Sequence, residues 1–259
     1  MVFKDQLNRD IELTDFPKRI ISLVPSQTEL LFDLGLEEEV IGITKFCIHP
    51  SQWFKLKKRV GGTKNIDIEL VRNLNPDLII ANKEENTKEQ IEQLFAIAPV
   101  WISDINCLLG AYDMIEKIGA VTKRVEAAKK INQEIQQSFQ HLSKLKMPKN
   151  VCYLIWQNPY MTVGGDTFIN DVLQTCGLKN VFSNCNRYPI ITIDQITEAN
   201  PEIIFLSSEP YPFKVKHIDT LQQQLPNTNI QLVDGEMFSW YGSRLLKSVN
   251  YFNTLLKEI

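Results

Sequence analysis

The chain has 259 residues, 23% of them charged, with a formal net charge of −3. That length suits one large domain or two modest lobes burying about 70–75% of the surface the unfolded chain exposes. The mild acidity excludes a global field drawing it to nucleic acid or anionic lipid, so neither polyanion is an expected partner. Five cysteines (Cys47, Cys107, Cys152, Cys176, Cys185) form no CxxC pair, which argues against a zinc ribbon or a disulfide framework. Cys107, Cys152 and Cys176 stand among apolar neighbours and read as core filling. The stretch KDQLNRDIEL, from Lys4, lacks the apolar run of an export signal. The expected location is therefore periplasmic or cell-surface where a signal has been removed, and cytoplasmic otherwise. No run approaches the length of a transmembrane helix, so direct membrane insertion is not expected.

In chain order, Arg19 to Val24 is apolar and β-branched, suiting a buried strand stopped by Pro25. Ser26 and Glu29 then have the spacing of a capping box, Leu30, Leu31 and Leu34 form an apolar stripe, and Gly35 ends the helix. After the short strand EVIGIT, the loop TKFCIHPSQW brings Phe46, Cys47, His49 and Trp53 together. Cys-x-His supplies two metal donors, too few for a tight site, so contact with an organic ligand is expected and no metal centre is. The same pair is the only local nucleophile and base. No Gly-x-Ser-x-Gly elbow, P-loop, His-Glu-x-x-His or dinucleotide fingerprint occurs, and no catalytic residue is expected.

A short plan then appears twice. IDIELVRNLNPDLIIAN starts at Ile66 and ITIDQITEANPEIIFLS at Ile191, each with an acid at its fourth position (Glu69, Asp194) followed by Asn-Pro. Asp67 and Thr192 are candidate N-caps, the Asn-Pro pairs break the helices, and apolar strands follow. A second echo links ELLFDLGLEEEV, from Glu29, to DVLQTCGLKNVF, from Asp171, with Gly-Leu closing a helix in both. Between the copies, Thr122 to Leu145 has no Gly or Pro and an apolar residue every three or four positions, predicting one helix of about 36 Å. The expected fold class is thus α/β, with two similar lobes containing central parallel sheets (1–118 and 148–259) joined by a single long backbone helix (119–147).

Ligands of open parallel sheets bind beyond the carboxyl ends of the strands. After VCYLIW comes Tyr160, an aromatic face, and then Gly164-Gly165. SSEPYPF and DGEMFSWYGSR follow later strands and are dense in aromatic and ionisable groups. Tyr211, Trp240 and Tyr241 are candidates for a flat pocket wall, with Glu209 and Arg244 orienting a polar ligand edge.

These motifs together resemble the helical-backbone (class III) substrate-binding proteins of ABC importers. The likeness runs from about residue 17 to 257 and rests on RIISLVPSQTELLFDLGL and the repeated NPDLII/NPEIIF strands. The resemblance implies a ligand held between two lobes, with Ser26 and the loop residues above around it and Tyr188 beside them. It also implies docking of Glu69 and Asp194 on arginines of an ABC permease. As first-turn acids these two would also complement their helix dipoles by about 0.3–1 kcal/mol. The implied cargo is a metal chelate (cobalamin, haem or a ferric siderophore), with no intrinsic cofactor and a monomeric carrier. The family's cobalamin-lining aromatics would fall near Thr63, Asn82 and Tyr188, of which only the last is aromatic. A haem would need an axial ligand, with Tyr188, Tyr160, His49 and His217 as candidates. The competing readings are a cytoplasmic chelate-binding or sensing protein without a transporter, and an enzyme using Cys47 and His49.

Overall fold

The apolar run after Arg19 forms the strand Ile20–Ser22, buried at all three positions and central to a five-stranded sheet. In the computed structural model, which describes residues 1–259, the sheet order is Lys58–Arg59, Val40–Ile43, Ile20–Ser22, Leu78–Asn82, Val100–Ser103, with every pairing parallel. Leu78–Asn82 is likewise buried throughout, as expected of a strand covered on both faces. Ile21, Leu23, Val71, Ile79, Ala81 and Leu94 share one core.

A second sheet repeats this winding. Lys149–Trp156 is its central strand, pairing in parallel with Leu178–Asn180 on one side and with Ile203–Ser207 on the other, beyond which lies Asn229–Val233. Tyr160–Thr162 adds antiparallel to the far end of the central strand. In both sheets the first strand is central, the strands that follow it in the chain lie to one side, and the last two lie to the other. Each therefore has a topological switch point where the carboxyl end of its first strand meets that of its neighbour on the other side, Leu78–Asn82 in one sheet and Ile203–Ser207 in the other.

The sequence repeat has a matching backbone. Helix Ile68–Leu74 is capped by Asp67, whose side chain accepts from Leu70 N, and helix Ile193–Ala199 by Thr192, which forms a full capping box with Gln195. Both helices end on an asparagine in the left-handed region, Asn75 (φ 47°, ψ 60°) and Asn200 (φ 47°, ψ 58°). Asparagine tolerates this conformation better than most residues, and the proline after it prevents the helix from resuming. The other echo also holds: Gly35 (φ 74°) and Gly177 (φ 83°) both follow helix ends with positive φ.

Three expectations are corrected. Ser26 does not cap: the helix is Pro25–Asp33, with Val24 at the N-cap making no side-chain cap bond, and Pro25 opens the helix. The connecting helix is Val125–Gln140, 16 residues and about 24 Å long. A left-handed Lys123 (φ 58°) separates it from helix Leu108–Val121. The two helices come so close that a Cβ on Gly119 would lie 2.3 Å from that of Ala128. Finally, the chain divides by its internal contacts into a unit of Met1–Ile105, Leu109–Gln137 and Tyr241–Leu246 and a unit of Asn106–Leu108, Ser138–Trp240 and Lys247–Ile259. A six-residue segment near the C-terminus thus belongs with the first unit.

Candidate functional site

In the first unit, the switch-point loops stand on a buried polar floor. Thr28 Oγ1 donates to Ser22 Oγ (2.7 Å), and both Thr28 and Thr44 lie 3.1 Å from Cys47 Sγ. Burial pushes the Cys47 thiol pKa up, against the lowering effect of these hydroxyls. Asn82 Oδ1 accepts from the amides of Glu84 (2.8 Å) and Glu85 (3.0 Å), shaping the loop after its strand. Asn86 Nδ2 donates to Thr63 O (2.8 Å), joining that loop to the next. Thr63 and Asn82 are both buried beneath these loops.

Cys47 and Trp53, expected to face a ligand, are fully buried: Cys47 lies in the hydroxyl floor, and Trp53 packs edge-on against Phe32 at 5.4 Å. Neither offers a surface to a ligand in this conformation. Ser26 is also buried, whereas His49 is partly exposed and Phe46 is 51% exposed. Arg244, read as orienting a ligand, is buried in the first unit, with Nε donating to Glu29 Oε2 at 2.8 Å. Tyr241, in the same segment, is buried too.

The second unit gathers aromatics at its switch point. Trp156, the last residue of the central strand, is 39% exposed and packs edge-on against Tyr211 at 5.5 Å. Tyr211 continues the cluster into Phe213 (4.8 Å) and His217 (5.6 Å), and its hydroxyl donates to Gln157 Oε1 (3.0 Å). Gln157 Nε2 in turn reaches the Tyr160 hydroxyl at 3.4 Å. His217 Nδ1 accepts from Lys214 N at 2.7 Å, and desolvation together with Lys216 lowers its pKa. The neutral ring therefore carries its proton on Nε2, an unsuitable state for an axial metal ligand. Glu209 Oε1 accepts from Trp240 Nε1 (2.9 Å) and Ser239 Oγ (2.6 Å), which holds the buried Trp240 in place. Tyr188 is partly buried in this unit.

Sequence reasoning missed two residues. Trp156 had a usable signal, an aromatic ending an apolar strand at its carboxyl end. Glu29, 215 positions from Arg244, had none beyond a helical spacing that suggested a cap. Glu69 and Asp194 are exposed first-turn residues of equivalent helices, and Glu69 Oε1 lies 3.5 Å from Arg72 Nε.

Paired doubly wound sheets with aromatic and polar switch-point loops define an α/β ligand-binding protein. The sequence pattern described as "Periplasmic binding protein" matches residues 20–229, and the chain belongs to that family. It is 31% identical over 196 residues to the vitamin B12-binding protein of Vibrio campbellii, covering 73% of this chain and 70% of that one. An uncharacterized ABC transporter substrate-binding lipoprotein of Bacillus subtilis, YvrC, is 27% identical over 259 residues, 95% of this chain and 82% of that protein. The apo periplasmic haem-binding protein RhuT of Roseiflexus has the same fold, with a TM-score of 0.80 and 19% identity over 93% of this chain and 98% of that one.

Proposed function

We propose that this chain is the exported, monomeric binding component of an ABC importer, and that its cargo is a metal chelate of the corrinoid type. The observation that carries this reading is the 31% identity with a vitamin B12-binding protein over most of both chains. The second unit is consistent with it. The exposed Trp156 presents a flat apolar face, and Gln157 and Tyr211 supply neutral hydrogen-bonding groups suited to a ligand edged with amides. A corrinoid brings its metal already coordinated. A haem asks the protein for an axial donor, and His217 holds its proton on the nitrogen that would have to give it. Phe46, His49, Tyr160, Tyr188 and Tyr211 remain the proposed ligand-contacting residues, joined by Trp156.

Glu69 and Asp194 are proposed to dock the permease. Their equivalent, exposed positions in the two copies of the repeat support the assignment. The protein performs no chemical step in this reading, and the buried, raised-pKa Cys47 is a poor nucleophile.

Titration of the purified protein with cyanocobalamin, haemin and a ferric hydroxamate, followed by calorimetry and absorbance, tests the cargo. Cyanocobalamin should bind saturably and haemin should not. Saturable haemin binding with an axial-ligand spectrum would reject the corrinoid. Glu69→Ala combined with Asp194→Ala should abolish uptake while leaving cyanocobalamin affinity unchanged, and lost affinity would reject the docking role.

A further inference from the structure

The mild overall acidity conceals a segregated charge. From Lys45 to Lys64 the sequence carries six cations (Lys45, Lys55, Lys57, Lys58, Arg59, Lys64) and no Asp or Glu, leaving the remainder with 22 Lys and Arg against 31 Asp and Glu. This stretch forms one border of the first unit: helix Ser51–Leu56, then Lys58–Arg59 as the outermost strand of its sheet, then the small ladder of Gly61–Gly62 with Asn65–Ile66. Lys45, Lys55, Lys58, Arg59 and Lys64 are exposed. None of the six has a carboxylate within ion-pairing distance, although Lys64 acts at longer range on the Glu85 carboxyl, whereas Lys4, Lys83, Lys117 and Arg124 elsewhere each hold a carboxylate within 3 Å.

Three of the six do bend back, but onto neutral groups, Lys45 Nζ lying 5.1 Å from the Phe46 ring centre. Lys57 Nζ meets the Glu37 carbonyl and lies 5.2 Å from the Trp53 ring centre, while Arg59 meets the Phe54 carbonyl with its guanidinium 5.0 Å from that ring. These contacts order the side chains without cancelling their charge. Among them stands Leu56, 75% exposed. Cations on an outermost strand discourage strand pairing, which would account for Lys58 and Arg59. It does not account for Lys45, Lys55 and Lys64, nor for a bare leucine.

Exposed cations without an ion-pair partner, set around an exposed apolar side chain, complement a surface of negative headgroups over hydrocarbon. We propose that this border docks the protein on an anionic lipid bilayer, with the cations on headgroup phosphates and Leu56 entering the acyl boundary. The inference is independent of the cargo.

Sedimentation of the full chain with vesicles tests it, using phosphatidylcholine alone or mixed with phosphatidylglycerol. Binding should occur only to the mixed vesicles. It should be lost as salt rises from about 0.1 M to about 1 M and the screening length falls from ~10 Å to ~3 Å. Each cation near such a surface is worth about fivefold in partitioning, so Lys55→Glu with Lys58→Glu should weaken binding about thirtyfold or more. Leu56→Ser should weaken it about tenfold while leaving the salt dependence intact. Thermal unfolding and cyanocobalamin titration should be unchanged in both variants, because the altered side chains are exposed. A wild-type protein that ignores mixed vesicles at low salt, or variants that bind as well as it does, would overturn the proposal. So would charge reversal that abolishes uptake while no vesicle binding is seen, since that result assigns the border to an acidic protein partner.

Discussion

Arg244 and Glu29 lie 2.8 Å apart with side chains 6% and 7% exposed, so each charge depends on the other. Removing the guanidinium with Arg244→Met leaves a carboxylate in a site closed to water, and the expected loss is about 3–5 kcal/mol of unfolding free energy in urea. Adding Glu29→Leu to that variant should recover much of the loss, and failure to do so would show that the pair is not the source. At this scale the sequence was only partly legible. Glu69 and Asp194 were visible because a repeat marks them. Cys47 and Trp53 were misleading, since their loop composition matched a binding site although both side chains turn inward. No local pattern can indicate inward rotation, because it depends on what the rest of the fold leaves room for.

The repeated helices show where local chemistry decides an element. Asp67 and Thr192 each accept a hydrogen bond from a first-turn backbone amide, so Asp67→Ala and Thr192→Ala should each reduce stability by about 1 kcal/mol. Asn200→Val should cost about 1–2 kcal/mol because of its left-handed backbone, and Asn200→Gly much less. Equal losses from valine and glycine would place the asparagine's importance in its side chain instead. Caps, breaks and buried parallel strands were readable because each rests on a few adjacent residues. The connecting helix was overextended for the opposite reason: the apolar spacing runs unbroken through Thr122–Arg124, and nothing in a lysine announces a left-handed turn. That turn brings the two helices together where Gly119 leaves room for Ala128.

Across the whole molecule, burial of thiols predicts an alkaline limit to stability. Cys152 and Cys176 are both pushed from an ordinary 9.0 up to about 12 by desolvation, and Cys47 is raised for the same reason. Below about pH 9 the thiols are protonated in folded and unfolded chains alike and their contribution is fully present. Above it the unfolded chain loses the protons first, so stability should fall between pH 9 and 12 by about 1.4 kcal/mol per pH unit for each of Cys152 and Cys176, with Cys47 adding in the same direction. Urea unfolding across that window should lose one such increment of slope in Cys152→Ala, and an unchanged slope would exclude this origin. The division of the chain bears also on how the protein is made. Tyr241–Leu246 completes the first unit, so Glu29 is synthesised 215 positions ahead of the guanidinium it meets, with the whole second sheet made in between. The first unit therefore waits on that segment for this internal contact. A nascent chain held short of Arg244 should therefore be digested by protease more readily than one that includes it.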